Sequence, residues 1–502
     1  MDIDKREIYL KNILKELVEQ NNVRSNLSAL RQLVKEEEGK ANTVLFFDKN
    51  PQLVDLFLNS EDAKTRKNMA LLLGDLEQSK VVDILYDGYK KEDTLFVKAS
   101  YLQALAKMDV SNLVPQLKDD LNRLLAMEIT EENKKHLDEE TRALRSILIR
   151  YEGISCHTAD YKGKKVMALL ITNRNQREVV RRMVTCGSAK VHPLGVLVET
   201  EDLGALMELR TYREMVFPVA TNGFISVKPE EAAQAIWEGG ILNLLQGLHQ
   251  GEGSFYYRIE CKSNMELEQR STFTKKLGAH LDRLSKGMLV NSAGDYEVEL
   301  RLIANKDGGF FPCIKLFTLK NSRFAYRKNA IATSIHPSTA ALMMEIAEPF
   351  LKENAQIIDP FCGVGTMLVE RHTKVPAKEI YATDIFGEAV ILGRENASLA
   401  GVKIHFINRD FMDFEHDYLF DEIVTNMPLR GKKTKQEMDD FYGAFFRKAE
   451  EILKRDGVII MYTNEMGFVK KHLRLNKNYK LLQETCMQTK TDFNLVIIQY
   501  IG

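Results

Sequence analysis

The segment Asp359-Pro360-Phe361-Cys362-Gly363-Val364-Gly365-Thr366 follows the apolar run Gln356-Ile357-Ile358 and leads into a helical pattern. A buried strand that breaks into a glycine turn and then a helix opens a βα unit, and the pattern recurs downstream. Residues 379–384, 404–408, 421–426 and 457–462 read as further strands separated by helix-length segments. Strands alternating with helices imply a doubly wound parallel sheet. Two last strands, around Leu481-Leu482-Gln483 and Leu495-Val496-Ile497-Ile498-Gln499, have only a short connection, so an antiparallel hairpin is expected at the sheet edge.

Within the loop, Gly363 and Gly365 allow the backbone to approach a ligand without a Cβ clash, and the loop amides can hydrogen-bond it. Met367 and Leu368 stand where a dinucleotide fingerprint needs its third glycine, and no Gly-Lys-Ser/Thr is present to make a P-loop. Asp384 ends the second strand, the position that reaches the ribose hydroxyls of a nucleoside cofactor in such a sheet. Asp410 ends the third strand, where a carboxylate can accept from an adenine amino group while Phe411 beside it covers the ring.

Glycine loop, two acids and a final antiparallel strand together resemble a class I S-adenosylmethionine-dependent methyltransferase of Rossmann-like fold. The phrase Asp-Pro-Phe-Cys-Gly-x-Gly-Thr is similar to the first motif of the THUMP-associated RNA methyltransferases. Asn396 with Ala400-Gly401-Val402 looks like that family's ending of the helix after the ribose acid. Ser334-Ile335-His336-Pro337-Ser338-Thr339-Ala340-Ala341, with Tyr326-Arg327 upstream, looks like its entry into the catalytic domain, bordering the cofactor. Glu199-Thr200-Glu201-Asp202-Leu203-Gly204-Ala205-Leu206 and Leu209-Arg210-Thr211-Tyr212-Arg213 look like the ferredoxin-like module that precedes THUMP there. The resemblance implies S-adenosylmethionine as cofactor, bound through Asp359, Phe361, Gly363, Gly365, Thr366, Asp384, Asp410, Phe411 and Asn426. It also implies RNA, tRNA or rRNA, as the substrate and guanine N2 as the acceptor.

Thr425-Asn426-Met427-Pro428-Leu429-Arg430 ends the fourth strand, where such enzymes carry Asp/Asn-x-Pro-aromatic. A side-chain carbonyl and the backbone carbonyl before proline accept from an exocyclic amino group and aim its lone pair at the methyl donor. Proline removes a competing N–H and stiffens the turn. Asn426 and Pro428 are therefore the expected catalytic residues, with Met427, Leu429, Arg430, Lys432 and Lys433 toward the substrate. Leu429 replaces the aromatic that would stack on a base. Two alternatives follow: an acceptor that is a protein or small molecule presented by the helical repeats, or a non-catalytic scaffold. Lys432, Lys433 and Lys435, and Lys470, Lys471, Arg474 and Lys477, flank the strand ends, either as phosphate contacts or as a plain solvated face.

Upstream, residues 151–325 mix short β-like runs with helical stretches at 229–248 and 273–284, an α+β region of ferredoxin-like/THUMP-like type. Alternation through 296–302 implies one buried and one wet sheet face. Arg174, Arg177, Arg181, Arg182, Arg210 and Arg213 read first as solvated faces, with phosphate contact as the alternative. Residues 1–150 show helical periodicity and a weak repeat: Glu61-Asp62 and Glu92-Asp93 each precede a helix. The spacing predicts HEAT-like paired helices, a surface for a protein partner, followed by the methyltransferase region 326–502.

The 502 residues are 44% hydrophobic and 28% charged, and 70 Lys+Arg against 71 Asp+Glu leave a net charge of -1. A uniformly basic nucleic-acid coat is excluded by that balance, and the apolar content excludes a disordered chain. Cys156, Cys186, Cys261, Cys313, Cys362 and Cys486 form no CxxC pair, which argues against a zinc ribbon and for reduced thiols in the cytoplasm. The charged start Met1-Asp2-Ile3-Asp4-Lys5 lacks the apolar core of a signal peptide, and no apolar run is long enough for a membrane span. No metal is expected.

Overall fold

The computed structural model describes residues 3–502 apart from 128, 129, 131, 154–156 and 307. Cys156 and the first two residues therefore lie outside the described residues, and the other five cysteines are free thiols. The chain forms two compact units, Met1–Ser155 with Lys275–Tyr296, and Cys156–Thr274 with Glu297–Gly502.

Most of the first unit is a run of helices: α1 (Ile3–Val18), α2 (Val23–Leu33), α3 (Glu37–Lys49), α4 (Pro51–Leu58), α5 (Ala63–Leu76), α6 (Val82–Lys91), α7 (Leu95–Leu105), α8 (Val114–Ala126) and α9 (Lys134–Glu152). Helix α5 packs on α2 and α7, and α7 packs in turn on α9. Close approach of α5 and α7 needs Gly74, because a Cβ there would lie 2.6 Å from the Ala104 backbone. The acidic repeats do two different jobs. Asp62 caps α5 by accepting from the Lys64 and Thr65 amides. Glu92 is buried and holds the Arg66 guanidinium in a bidentate pair, 2.8 Å at both nitrogens.

In the second unit, residues 166–274 and 297–316 build an antiparallel-rich sheet from β1 (Val166–Ile171), β2 (Gly187–His192), β3 (Gly195–Thr200), β4 (Glu214–Pro218), β5 (Phe255–Lys262), β6 (Val298–Ala304) and β7 (Phe310–Leu316). These lie in the order β2-β3-β1-β4-β7-β6-β5. The wet face expected on β6 is absent: Val298 through Leu302 are all buried. Glu299 and Arg301 can be covered because their neighbours neutralise them. Arg301 pairs with Glu299 (2.6 Å) and Glu214 (2.5 Å), Arg258 with Glu299 (2.6 Å), and Lys315 with Glu214 (2.9 Å). Burial raises the Glu214 carboxyl, but Arg301 and Lys315 bring it down to about 2. The helical stretch at 229–248 is two helices, Pro229–Glu238 and Ile241–Gly247, divided at Gly240, whose φ is +73°.

Residues 337–500 form the α/β part of this unit. Its elements are α10 (Pro337–Ala347), β8 (Gln356–Asp359), α11 (Thr366–Lys374), β9 (Glu379–Asp384), α12 (Gly387–Ala400), β10 (His405–Asn408), β11 (Phe420–Asn426), α13 (Lys435–Ile452), β12 (Leu453–Thr463), α14 (Met466–Leu475), β13 (Tyr479–Gln488) and β14 (Phe493–Tyr500). Sheet order is β10-β9-β8-β11-β12-β14-β13. The first five strands run parallel, and β14 inserts antiparallel between β12 and β13. The expected edge hairpin is thus present. The chain adds β9 and β10 on one side of β8 and then crosses to lay β11 on the other, so a crevice opens at the carboxyl ends of these strands.

Within the same unit the two sheets are riveted by arginine. Arg210 is not a solvated surface charge: its guanidinium forks onto Glu370 of α11 at 2.7 and 2.9 Å, and Glu370 is only 1% exposed. The Tyr326 hydroxyl donates to the same carboxylate at 2.6 Å. Arg323 lies 3.5 Å over the Tyr212 ring and donates to the Leu209 and Arg213 carbonyls. Two more of these arginines are held locally: Arg177 donates to the Arg174 and His192 carbonyls, and Arg181 pairs with Glu178.

Candidate active site

A cavity of about 1000 Å³ occupies the crevice. Its floor is the glycine loop. Asp359 ends β8 and its Oδ1 accepts from the Phe361 amide at 3.0 Å. Cys362 N–H donates to the Thr383 carbonyl and Gly365 N–H to the Cys362 carbonyl, which tightens the turn into α11. Gly363, at φ +50°, donates its amide to Asp384 Oδ2 at 2.8 Å, while Asp384 Oδ1 accepts from the Phe386 amide at 2.9 Å. One carboxylate thus ties the ends of the first two strands together and keeps a lone pair on each oxygen for a ligand.

Of the sequence-predicted residues, Asp359, Phe361, Gly363, Thr366, Asp384, Asp410, Phe411, Asn426, Met427, Pro428, Leu429 and Lys433 line the cavity. Gly365, Arg430 and Lys432 do not. Gly365 caps α11 at φ +79°, and a Cβ there would sit 3.0 Å from the Phe406 ring, so its role is packing rather than approach to a ligand. Arg430 turns back to donate to the Lys433 carbonyl at 2.9 Å. Phe411 reaches the cavity but cannot lie open on it as a cover: its ring is buried, edge-on to Phe361 at 6.0 Å and tilted against Phe445 at 5.9 Å. Asp410 Oδ1 accepts from the Met412 amide at 2.9 Å, shaping the turn that follows β10.

The motif after β11 is anchored from its neighbour strand. Asn426 stands opposite Tyr462 in the parallel ladder, and the Met427 amide donates to the Tyr462 carbonyl at 2.9 Å. Asn426 is half-buried, and Leu429 is 51% exposed. A reciprocal capping box between Thr434 and Glu437 starts α13 at once, and Lys433 lies 4.8 Å over the Phe441 ring. Of the downstream lysines, Lys470 pairs with Glu484 and Lys471 with Asp439.

Several cavity residues were not singled out by sequence. Ile385 and Phe386, 75% and 50% exposed, stand directly after Asp384, and Phe441, Tyr462, Gln488 and Phe493 complete the wall. Two large apolar side chains just before a helix, next to the ribose acid, were the available signal. Residues 331–336 close the other side, held by Ile331 N–H to Ser334 Oγ (2.9 Å) and Arg327 to the Ile335 carbonyl (3.1 Å). Burial, then the charges of Arg213, Arg327 and Arg323, pushes the His336 imidazole down to about 4, so it is neutral, with Nδ1 meeting Ser338 Oγ at 2.7 Å. Asn396, fully buried, pins this segment by bonding both ways to the Asn329 backbone and reaching the Val364 carbonyl.

Residues 325–493 match the family model described as RMKL-like, methyltransferase domain. Among curated proteins, the tRNA (guanine(10)-N2)-dimethyltransferase of Methanothermobacter thermautotrophicus is 28% identical over 131 residues, 26% of this chain and 38% of that protein. The carboxy-S-adenosyl-L-methionine synthase of Nautilia profundicola is 30% identical over 122 residues, 24% of this chain and 49% of that protein. The chain thus matches less than half the length of these relatives. In fold it is similar to TrmN from Thermus thermophilus, with a TM-score of 0.50 at 19% identity, covering 67% of this chain and 99% of that one. It is equally similar to SMU.472 in its complex with SAH, with a TM-score of 0.50 at 15% identity, covering 68% and 98%.

The residues present suit the cofactor these findings imply. Thr366 Oγ1, in the cavity wall, is buried without a hydrogen-bond partner, and an unpaired polar atom there calls for a polar ligand, while the Asp359 carboxyl in the same wall has the Thr425 hydroxyl beside it. Burial pushes the Asp359 carboxyl up to about 7, as befits an acid waiting for a cation. Among the described residues no group of three or more His, Cys, Asp or Glu is arranged to hold a metal ion, and no helix is long and apolar enough to cross a membrane. Residues 325–493 thus match a methyltransferase domain of the RMKL-like type, for which S-adenosylmethionine is the cofactor.

Proposed function

We propose that the protein transfers a methyl group from S-adenosylmethionine to an exocyclic nitrogen of a base in structured RNA, guanine N2 being the specific acceptor. The observation that carries this reading is the Asn426-Met427-Pro428 turn, fixed by the Met427–Tyr462 hydrogen bond on the wall shared with Gly363, Asp384 and Asp410. Support also comes from the Methanothermobacter relative, which is a guanine-N2 dimethyltransferase of tRNA.

S-adenosylmethionine supplies an electrophilic methyl group on a sulfonium. Asp359, with Gly363 and Thr366 of the glycine loop, would hold its amino-acid end, Asp384 its ribose and Asp410 its adenine. The Asn426 side-chain carbonyl and the Met427 carbonyl accept from the acceptor amine, which points the nitrogen lone pair away from the turn and toward the methyl group. The catalytic work is positioning in a site with little water. The helical residues of the first unit, read as HEAT-like, and the 166–316 sheet, read as ferredoxin-like/THUMP-like, present the RNA in the cytoplasm.

Leu429 in place of an aromatic favours a second reading, in which the acceptor is a peptide or small molecule. Mass spectrometry of nucleosides from a strain lacking the protein, with tRNA and rRNA analysed separately, tests the choice. Loss of one methylated nucleoside supports the first reading, and an unchanged profile supports the second.

A further inference from the structure

Arg213 is the residue of the 166–316 region that reaches the active-site cavity. It stands immediately before β4, and its backbone is fixed from both sides. Its amide donates to the Ile171 carbonyl at 2.7 Å, and its carbonyl accepts from Arg323 at 3.2 Å. The neighbouring cations are already occupied: Arg210 is consumed by Glu370, and Arg323 by Tyr212 and the Leu209 carbonyl. The Arg213 side chain is exposed, and among the described residues its guanidinium meets no acid. An arginine on a rigid stem, unspent and open to solvent at the wall of a cavity, is built to meet an anion that arrives with a ligand.

The cavity's carboxylates, Asp359, Asp384 and Asp410, sit at the ends of β8, β9 and β10, on the side where the cofactor is placed. The cavity's other cation is Lys433, in the loop after Asn426, while Arg213 lies near His336 on the wall made by residues 331–336. We infer that Arg213 holds a backbone phosphate of the RNA whose base enters the cavity, so that the 166–316 region contributes a substrate-positioning residue to the methyltransferase site. This rests on the RNA reading above. A guanidinium fork matches two phosphate oxygens, which fixes the nucleotide's register relative to Asn426 without reading its base.

The test compares wild type with Arg213→Gln and Arg213→Lys. The probes are methyl transfer to RNA isolated from cells lacking the protein, over a range of salt, and calorimetry with S-adenosylhomocysteine. Arg213→Gln should raise KM about tenfold with kcat within a few-fold, and should reduce the slope of log(kcat/KM) against log[salt] by about one. Arg213→Lys should keep the salt slope, because the charge remains, while KM rises less. S-adenosylhomocysteine affinity should stay within about twofold in both variants. An unchanged KM and salt slope in an active Arg213→Gln enzyme overturns the inference alone. So does weakened S-adenosylhomocysteine binding, which would place the guanidinium on the cofactor's carboxylate. A wild-type enzyme that methylates no RNA overturns both this inference and the reading it rests on.

Discussion

The Gly363 amide donates to Asp384 Oδ2 at 2.8 Å, so the acid that ends the second strand also holds the glycine loop that follows the first. Asp384→Ala therefore removes two things at once, a ligand carboxylate and the brace that keeps Gly363 at φ +50°. A charge-assisted hydrogen bond contributes roughly 1.5–3 kcal/mol. Calorimetry with S-adenosylhomocysteine should show binding at least about tenfold weaker, with Asp384→Asn intermediate because its carbonyl can still accept from Gly363.

Asp359 makes cofactor binding pH-dependent. Burial pushes its carboxyl up to about 7, above its ordinary value. Its protonated form favours the folded, empty enzyme at low pH, and that contribution is lost as pH rises through about 7. A bound ammonium needs the carboxylate instead. Affinity for S-adenosylhomocysteine should therefore fall by up to about tenfold per unit as pH drops below 7, and Asp359→Asn should flatten the profile while stabilising the ligand-free protein above pH 7. A pH titration by calorimetry and thermal melts at pH 6 and 8 check both signs.

Arg210 and Glu370 connect the two sheets of the second unit. Removing the arginine leaves a carboxylate that is 1% exposed with only the Tyr326 hydroxyl for compensation. Breaking a buried pair from one side typically costs about 3–5 kcal/mol. Arg210→Ala should lower the urea midpoint markedly, and Arg210→Ala with Glu370→Gln should recover much of the loss. Equal midpoints for the single and double variants would show that the carboxylate finds another partner.

The α/β part was legible because its signals are local. Each strand, the glycine turn and the acid after it lie within a few residues of one another, and the hairpin of β13 and β14 follows from its short connection. What stayed hidden depends on partners far along the chain. Arg301 looked like one residue of a wet face, because Glu214, which neutralises it, comes from another strand. Arg210 looked like a surface cation for the same reason, its acid lying on α11. Phe411 lines the cavity, yet its ring serves the aromatic core, since adjacency to Asp410 says nothing about which way a side chain points. Lys433 lines the cavity whereas Arg430 and Lys432 do not, and Arg430 is turned back onto the Lys433 carbonyl, which residue spacing does not reveal.

Leu429 tests the nature of the acceptor. Exposed at 51% beside Pro428, it has room for a larger side chain. If a base enters the cavity, Leu429→Phe should leave KM for RNA unchanged or lower, since stacking contributes about 1–3 kcal/mol per base. A rise in KM for RNA, with faster transfer to a protein extract in the wild type, would favour the peptide acceptor.

Asn426→Ala in a single-turnover methyl transfer to RNA from cells lacking the protein tests the central claim most directly. Asn426 sits at the end of β11, held in place through Met427 and Tyr462, and its lost contact is to the acceptor amine. One positioned hydrogen bond in such a site typically counts for about 10²–10³ in rate. The expected result is a rate reduced by at least about 10², with S-adenosylhomocysteine affinity within a few-fold of wild type. RNA methylation by Asn426→Ala at the wild-type rate would contradict the account.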